Sequence, residues 1–433
     1  MKDNILLVFL ILSLSYAACN KDDDSIITDT PENSGGKQEK IKDTIDNSFQ
    51  FKVAKMEITT DGGQTVDGKE KADYRKCKIT VTDFSGNENY SGTGKIRGRG
   101  NSSWLWYDKK PYRIKLDEKS KILGLKSNKD WVLLANYRDA TDLMNVFVFE
   151  LGKALNMPFT NNSRFVEVTL NGDYSGLYQL TEQIEVAKSR VDINEKNGIL
   201  LSLDSDDGPE LSPSATDNFW SEVYQMPCCV KNPDKPSKTQ VDSVKQEFAM
   251  LEEIIFNNDY EELCEVMNVD EFINYLLIQE FIYNVEVAAP RSIYLYKDIN
   301  KKWGAGPLWD FDAGYDFDWG SMYTGHNFFM SYKELVLGTD PRYHEGGYSY
   351  VPEFFTDMFF NKDFVQHVQN NWLDMADLIP QVWETTKKYE ISDALNRDLK
   401  RWPIDKTPSK ETDKMGTWIS NRINYMNTVV GGY

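Results

Sequence analysis

The sequence predicts a mixed α and β fold (α+β) in two lobes, the first antiparallel and strand-rich, the second largely helical. Three observations carry this. Between residues 77 and 203 apolar residues alternate in short runs punctuated by Gly, Asn and Asp, as half-buried strands do. Beyond residue 240 they recur at helical spacing. The chain has 433 residues, 40% hydrophobic and 13% aromatic, which exceeds one simple core and excludes wholesale disorder.

The first stretch reads as an address. Lys2 and the apolar run Ile5 to Leu14 suit a signal peptide over residues 1–18, and the run is too short to span a membrane. Ala17-Ala18-Cys19 resembles a lipobox, with Cys19 as the acylated N-terminus. Asn20-Lys21-Asp22-Asp23-Asp24 resembles the export tag of surface lipoproteins in Bacteroides-type bacteria. Residues 19–48 then read as a flexible tether. The expected protein is an exported outer-membrane lipoprotein at the cell surface, touching the membrane only through its lipid.

The folded domain is expected over residues 49–433, with a small lobe over about 49–203 and a large lobe over about 240–433. Strands are predicted at Cys77 to Asp83, Gly94 to Gly100 and Pro111 to Leu116, then a helix over Asp139 to Asn156 stopped by Pro158. Arg164 to Leu170 and Tyr174 to Leu180 form a hairpin around Asn171-Gly172. A strand follows at Gly198 to Leu203, and 204–239 reads as an insertion or inter-lobe loop. Helices are predicted at Val241 to Asn257 and Asp270 to Tyr283. Ser292 to Tyr296 and Trp303 to Trp309 are strands leading into Asp310-Phe311-Asp312.

Charge narrows the function. Lys and Arg total 49 against 68 Asp and Glu, a net −19 that opposes nonspecific nucleic-acid binding, so no nucleic-acid partner is expected. One stretch reverses the field: Lys95, Arg97, Arg99, Lys109, Lys110, Arg113, Lys115 and Lys119 lie close together. Residues two apart in a strand share a face, so Arg97 aligns with Arg99 and Arg113 with Lys115. Gly98 and Gly100 between them let backbone approach a polyphosphate. The alternative is a solvated hairpin face. The acidic counterpart runs from Asp310 through Asp312 and Asp316 to Asp318. It lacks the closing Glu of an EF-hand, since Ser321 stands there, and suits two carboxylates plus ligand phosphates around Mg²⁺. Alternatively these side chains cap turns. With His326, His344 and His367 alone and no Cys-x-x-Cys pair, no structural zinc is expected. Cys77, Cys228, Cys229 and Cys264 leave disulfide pairing open.

The order of elements adds an argument. Helix, polar loop (284–291), strand, turn, strand, then Asp312-Ala313-Gly314 is the order of a protein kinase large lobe, where Asp-Phe-Gly stands last. A kinase small lobe pairs a strand lysine with a helix glutamate. Glu150 is one candidate, and Glu182, at a strand's end, is the other.

Ile96-Arg97-Gly98-Arg99-Gly100-Asn101-Ser102-Ser103-Trp104, Lys109 to Leu116, Lys129 to Tyr137, Leu170 to Tyr178 and Gly306 to Asp312 together resemble the CotH family of spore-coat protein H kinases and their bacterial relatives. The resemblance spans about residues 50 to 330. It implies an atypical protein kinase-like fold, ATP with Mg²⁺, and phosphoryl transfer to Ser or Thr of a protein. Carried over, Arg97, Arg99, Asn101, Lys110 and Lys115 would line the phosphates, Asp312 with Asp310 would hold Mg²⁺, and Glu286 would supply the base. Two positions depart from the pattern. Glu286 stands where relatives place Asp, and Arg291 stands where a kinase places its second metal-binding Asn. A second reading is therefore a catalytically impaired scaffold gripping a surface glycan or partner protein through its many aromatics. Glycoside hydrolysis by paired carboxylates ranks last, with no supporting spacing.

Overall fold

Eight residues from Val53 to Thr60 alternate strictly between buried and exposed, and they organise the first half of the molecule. The computed structural model describes residues 43–316, 331–337 and 351–432. The expected signal, Cys19, most of the tether, and Asp318, His326 and His344 lie outside the described residues.

Seven strands close into a barrel: β1 (Val53–Thr60), β2 (Arg75–Thr82), β3 (Glu88–Gly98), β4 (Tyr112–Ser120), β5 (Asn128–Leu134), β6 (Arg164–Leu170) and β7 (Asp173–Glu182). Neighbours are antiparallel except β1 and β6, which run parallel and close the circle. The expected small lobe is strand-rich and mixed antiparallel; its closure into a barrel arises because β1 pairs with both β2 and β6 and leaves no edge. Ile58, Ile79, Ile96, Ile114 and Trp131 meet inside, each at most 1% exposed. Burying an aliphatic side chain of this size is worth about 1.5–3 kcal/mol. The β6–β7 hairpin turns on Asn171 (φ 53°) and Gly172 (φ 87°), as the Asn-Gly signal requires.

Two helices interrupt the barrel strands. The short α1 (Ser102–Trp106) follows β3, and α2 (Met144–Ala154) lies between β5 and β6. The latter starts later than expected, because Asp139 folds into a turn that caps it from five residues away: its Oδ2 accepts from the Met144 N–H at 2.7 Å.

A second sheet has the order β12-β11-β8-β10-β9, from β8 (Ile199–Leu203), β9 (Asn218–Trp220), β10 (Pro227–Asn232), β11 (Ile293–Lys297) and β12 (Trp303–Ala305). The 204–239 segment is thus partly sheet, not wholly loop. Its Asp, Ser and Pro content masked two short strands, β10 paired with β8 and β9 paired with β10. The strand after Trp303 stops at Ala305, before Gly306 and Pro307, the latter lacking the N–H a ladder needs.

Helices α3 (Lys238–Phe256), α4 (Tyr260–Val266), α5 (Val269–Phe281), α6 (Lys362–Thr386), α7 (Ser392–Arg401) and α8 (Pro408–Val430) complete the second core. That core is continuous from α2 through the second sheet to α8 and separate from the barrel interior. Arg422 of α8 is fully buried and pins the end of α5, donating to Phe281 O at 3.0 Å and to Glu280 Oε1 at 2.8 Å. Among the described residues no helix is long and apolar enough to cross a membrane, and the cysteines at 77, 228, 229 and 264 are free thiols.

Candidate active site

The turn after β3, the loop after β12 and the loop after α5 come from distant parts of the chain and meet around one cleft of about 370 Å³. Arg97, Arg99 and Asn101 line it from the barrel; Glu286, Asp310 and Asp312 line it from the other side. The basic and acidic clusters therefore face each other.

Local bonding explains how each is held. Phe311 is fully buried, and its N–H donates to Asn145 Oδ1 of α2 at 2.9 Å. Tyr315 N–H donates to Ile282 O at 2.7 Å, so the 310–315 loop is clamped between α2 and α5. A Cβ on Gly314 would meet Ile282 O at 2.7 Å, which is why glycine follows Asp-Ala here. Asp310 sits in the left-handed region (φ 64°), as do Ser292 (φ 56°) and Asn136 (φ 48°), all on the cleft wall. Such backbone persists only where its surroundings over-determine it, and it gathers at functional sites. Glu286 lies in a tight turn whose N–H is capped by Asn284 Oδ1 at 3.3 Å, with Asn284 held by Gln279 at 2.8 Å.

The three acids are electrostatically frustrated. Burial pushes the Glu286 carboxyl well above the usual range and Asp310 adds to this, while Arg138 opposes it. Burial and the neighbouring Asp312 push Asp310 up to about 6, against Arg99 and Arg138. Burial also raises Asp312, and Arg138, 3.7 Å away, is the main opposing charge. On the basic side Arg99 lies over the Trp309 ring at 5.3 Å. Arg97 Nη1 donates to Lys69 O and Gly98 O, yet its buried Nε has no hydrogen-bond partner among the described residues.

Asn101 is already engaged. Lys69 donates to its Oδ1 at 2.7 Å, and its Nδ2 donates to Asp206 Oδ2 at 2.9 Å. Asp206 in turn accepts from Arg291 Nε at 3.0 Å. Arg291, in place of a second metal-binding Asn, thus ties the 204–207 loop to the barrel turn.

Four expected residues lie elsewhere. Lys110 donates to Trp104 O at 2.6 Å and stacks on that ring; it does not line the cleft. Lys115 pairs with Asp130 at 3.0 Å on the barrel's outer face. Glu150 bonds Gln50, Tyr389 and Lys153, and Glu182 bonds Asn162, so both face a different cavity and neither pairs with a cleft lysine. The reason is register: Lys115 stands two residues farther along the outer face of β4 than Arg113, which does line the cleft, and the outer side of α2 turns Glu150 toward Tyr389.

Sequence reasoning missed Arg138 and Asp206. Arg138 directly follows the quoted Lys129–Tyr137 motif, and Asp206 sits in the acidic run Asp204-Ser205-Asp206-Asp207 that had been assigned to a loop. Asp204, which accepts from the Asp206 N–H at 3.0 Å, is itself pushed up to about 6 by burial and by Asp207.

Among the described residues no group of three or more His, Cys, Asp or Glu forms a ready metal cage. Asp310 and Asp312 supply hard oxygen donors whose mutual repulsion a divalent cation would relieve. That donor set suits Mg²⁺, which completes its shell with waters and ligand phosphates. No curated protein matches the chain. A family model described as CotH kinase protein does match, over residues 96–426, a span that includes both sides of the cleft and reaches into α8. On that match, the chain belongs to the CotH kinase family.

Proposed function

We propose that this protein is a surface-anchored kinase that transfers the γ-phosphate of ATP, with Mg²⁺, to Ser or Thr of a protein substrate. One observation carries the reading: Arg97, Arg99 and Asn101 face Asp310, Asp312 and Glu286 across a single cleft. Family membership makes nucleotide and divalent-metal use the expected chemistry, and the lipobox-like Cys19 motivates the anchoring. Bound Mg–ATP would supply the transferable phosphoryl group and the positive charge that the two aspartates lack.

The chain's own residues would do the following. Arg97 and Arg99 offset phosphate charge in a recess where water is partly excluded, so each interaction is stronger than in bulk solvent. Asp310 and Asp312 hold the cation. Glu286 takes the proton of the acceptor hydroxyl as its oxygen bonds to the γ-phosphorus and the bond to the bridging oxygen breaks. Arg138 keeps Asp312 and Glu286 from full neutralisation. The test is phosphate transfer by the full chain with ATP and Mg²⁺. Asp312→Asn should abolish transfer while leaving the fold intact. No binding at millimolar nucleotide would end the proposal.

A second reading, a kinase-like scaffold that binds a surface glycan or protein without turnover, is favoured by one observation. Burial, with Asp310 and Asp312 beside it, pushes the Glu286 carboxyl well above the usual range, which opposes its service as a base in the free protein. Nucleotide binding without transfer at any pH at which the protein stays folded would select it.

A further inference from the structure

The basic stretch holds more cations than the cleft uses, and the barrel register shows where the rest go. Lys76, Lys95 and Lys115 stand directly opposite one another on β2, β3 and β4. One row nearer the cleft, Arg97 stands opposite Arg113. Cys77, Ile96 and Ile114, which alternate with them, fill the barrel, so the cations share its outer face. Exposed Lys78 extends the face by one more step along β2.

Like charges directly opposite on neighbouring strands are destabilising. Here they recur across three strands. Asp130 meets two of them, held by Arg113 at 2.7 Å and Lys115 at 3.0 Å, and half-buried Glu185 adds a second negative charge beside that pair. Lys76, Lys78 and Lys95 have no ion-pair partner among the described residues. Lys95 instead rests over the Tyr74 ring at 4.6 Å. Asp117, two residues beyond Lys115 on β4, already accepts from Thr93 at 2.6 Å.

We propose that this face docks an acidic segment of the protein substrate, an inference that rests on the kinase reading above. A chain of net −19 repels an acidic partner nearly everywhere else, so the patch both attracts and orients it. The two rows are two residues apart along the strands, about 7 Å, which matches alternate side chains of an extended peptide. The acidic residues would therefore fall at alternate positions. The row nearer the cleft delivers the acceptor hydroxyl into it.

The test uses the full chain and two labelled peptides, each with one Ser, flanked in one by alternating Asp and Glu and in the other by Lys. Anisotropy without nucleotide should show the acidic peptide bound at least about tenfold more tightly, an advantage shrinking between about 50 and about 300 mM salt as screening shortens. Lys76→Glu/Lys78→Glu, at exposed positions, should remove most of that preference while ATP affinity and the thermal midpoint hold; Lys76→Gln/Lys78→Gln should remove part of it. Equal binding of the two peptides, indifference to the substitutions, or heparin binding in place of the acidic peptide would each overturn the proposal. A chain that binds the acidic peptide yet transfers no phosphate would refute the kinase reading and leave the docking face standing. A chain that transfers phosphate to both peptides equally would refute only the docking face.

Discussion

Replacing Asp398 with Asn should cost less than breaking a buried ion pair usually does, because a second carboxyl stands beside it. Helix α7 presents Asp398 to the barrel: Oδ1 accepts from the Leu177 N–H at 2.8 Å and Oδ2 from Lys109 Nζ at 3.0 Å. The side chains of Lys109 and Asp398 are 2% and 8% exposed. Removing one partner of such a pair costs about 3–5 kcal/mol, since an uncompensated charge stays buried. Asp142 lines the same small cavity. Burial pushes its carboxyl well above the usual range; Lys109 pulls it down, and Asp398 and Asp139 push it up. Once Asp398 is neutral, one repulsion disappears and Asp142 can ionise against Lys109. The net cost should then be about 1–3 kcal/mol, that of the charge-assisted hydrogen bonds lost. Adding Asp142→Asn removes the substitute and should restore the full cost of about 3–5 kcal/mol. The pH dependence provides a second reading. Because the folded-state pKa of Asp142 is raised, the folded protein binds the extra proton. This group's contribution therefore weakens stability as pH rises from about 4 toward the raised value, by up to about 1.4 kcal/mol per pH unit. Asp398→Asn should flatten that slope. Urea denaturation of the single and double variants across this range measures both effects. Additive costs with an unchanged slope would refute the reasoning.

Arg422→Met should destabilise by about 3–5 kcal/mol in the same assay, because it leaves the buried Glu280 carboxylate, among the described residues, with the Val336 and Leu337 N–H donors and no cation. Gly100→Ala should cost about 1–2 kcal/mol, since Gly100 has φ +83° and a Cβ there meets Ser103 Oγ at 2.4 Å. The same change shifts Asn101 at the cleft rim, so nucleotide affinity, read by calorimetry, should fall with it.

Much of the fold was legible because its signals are local. Period-two alternation located β2, β3 and β4, Asn171-Gly172 announced the β6–β7 turn, and helical spacing located α3 and α5. Barrel closure was not legible, since it depends on β1 pairing in parallel with β6 more than a hundred residues later. The short β9 and β10 were hidden for the same reason: β10 is a strand because β8 offers it a partner, and β9 because β10 does.

The site divides along the same line. Sequence alone determined which residue types were present: a cationic hairpin around Gly98 and Gly100, and Asp310 and Asp312 after a strand. Tertiary structure decided which of them face the cleft. Strand register on the barrel's outer face set Arg97 and Arg113 at the cleft and Lys115 one row farther from it. Helix rotation aimed Glu150 at Tyr389, and chain return brought Arg138 within 3.7 Å of Asp312. Residue chemistry is written position by position, whereas the direction a side chain points depends on pairing register and on neighbours far along the chain.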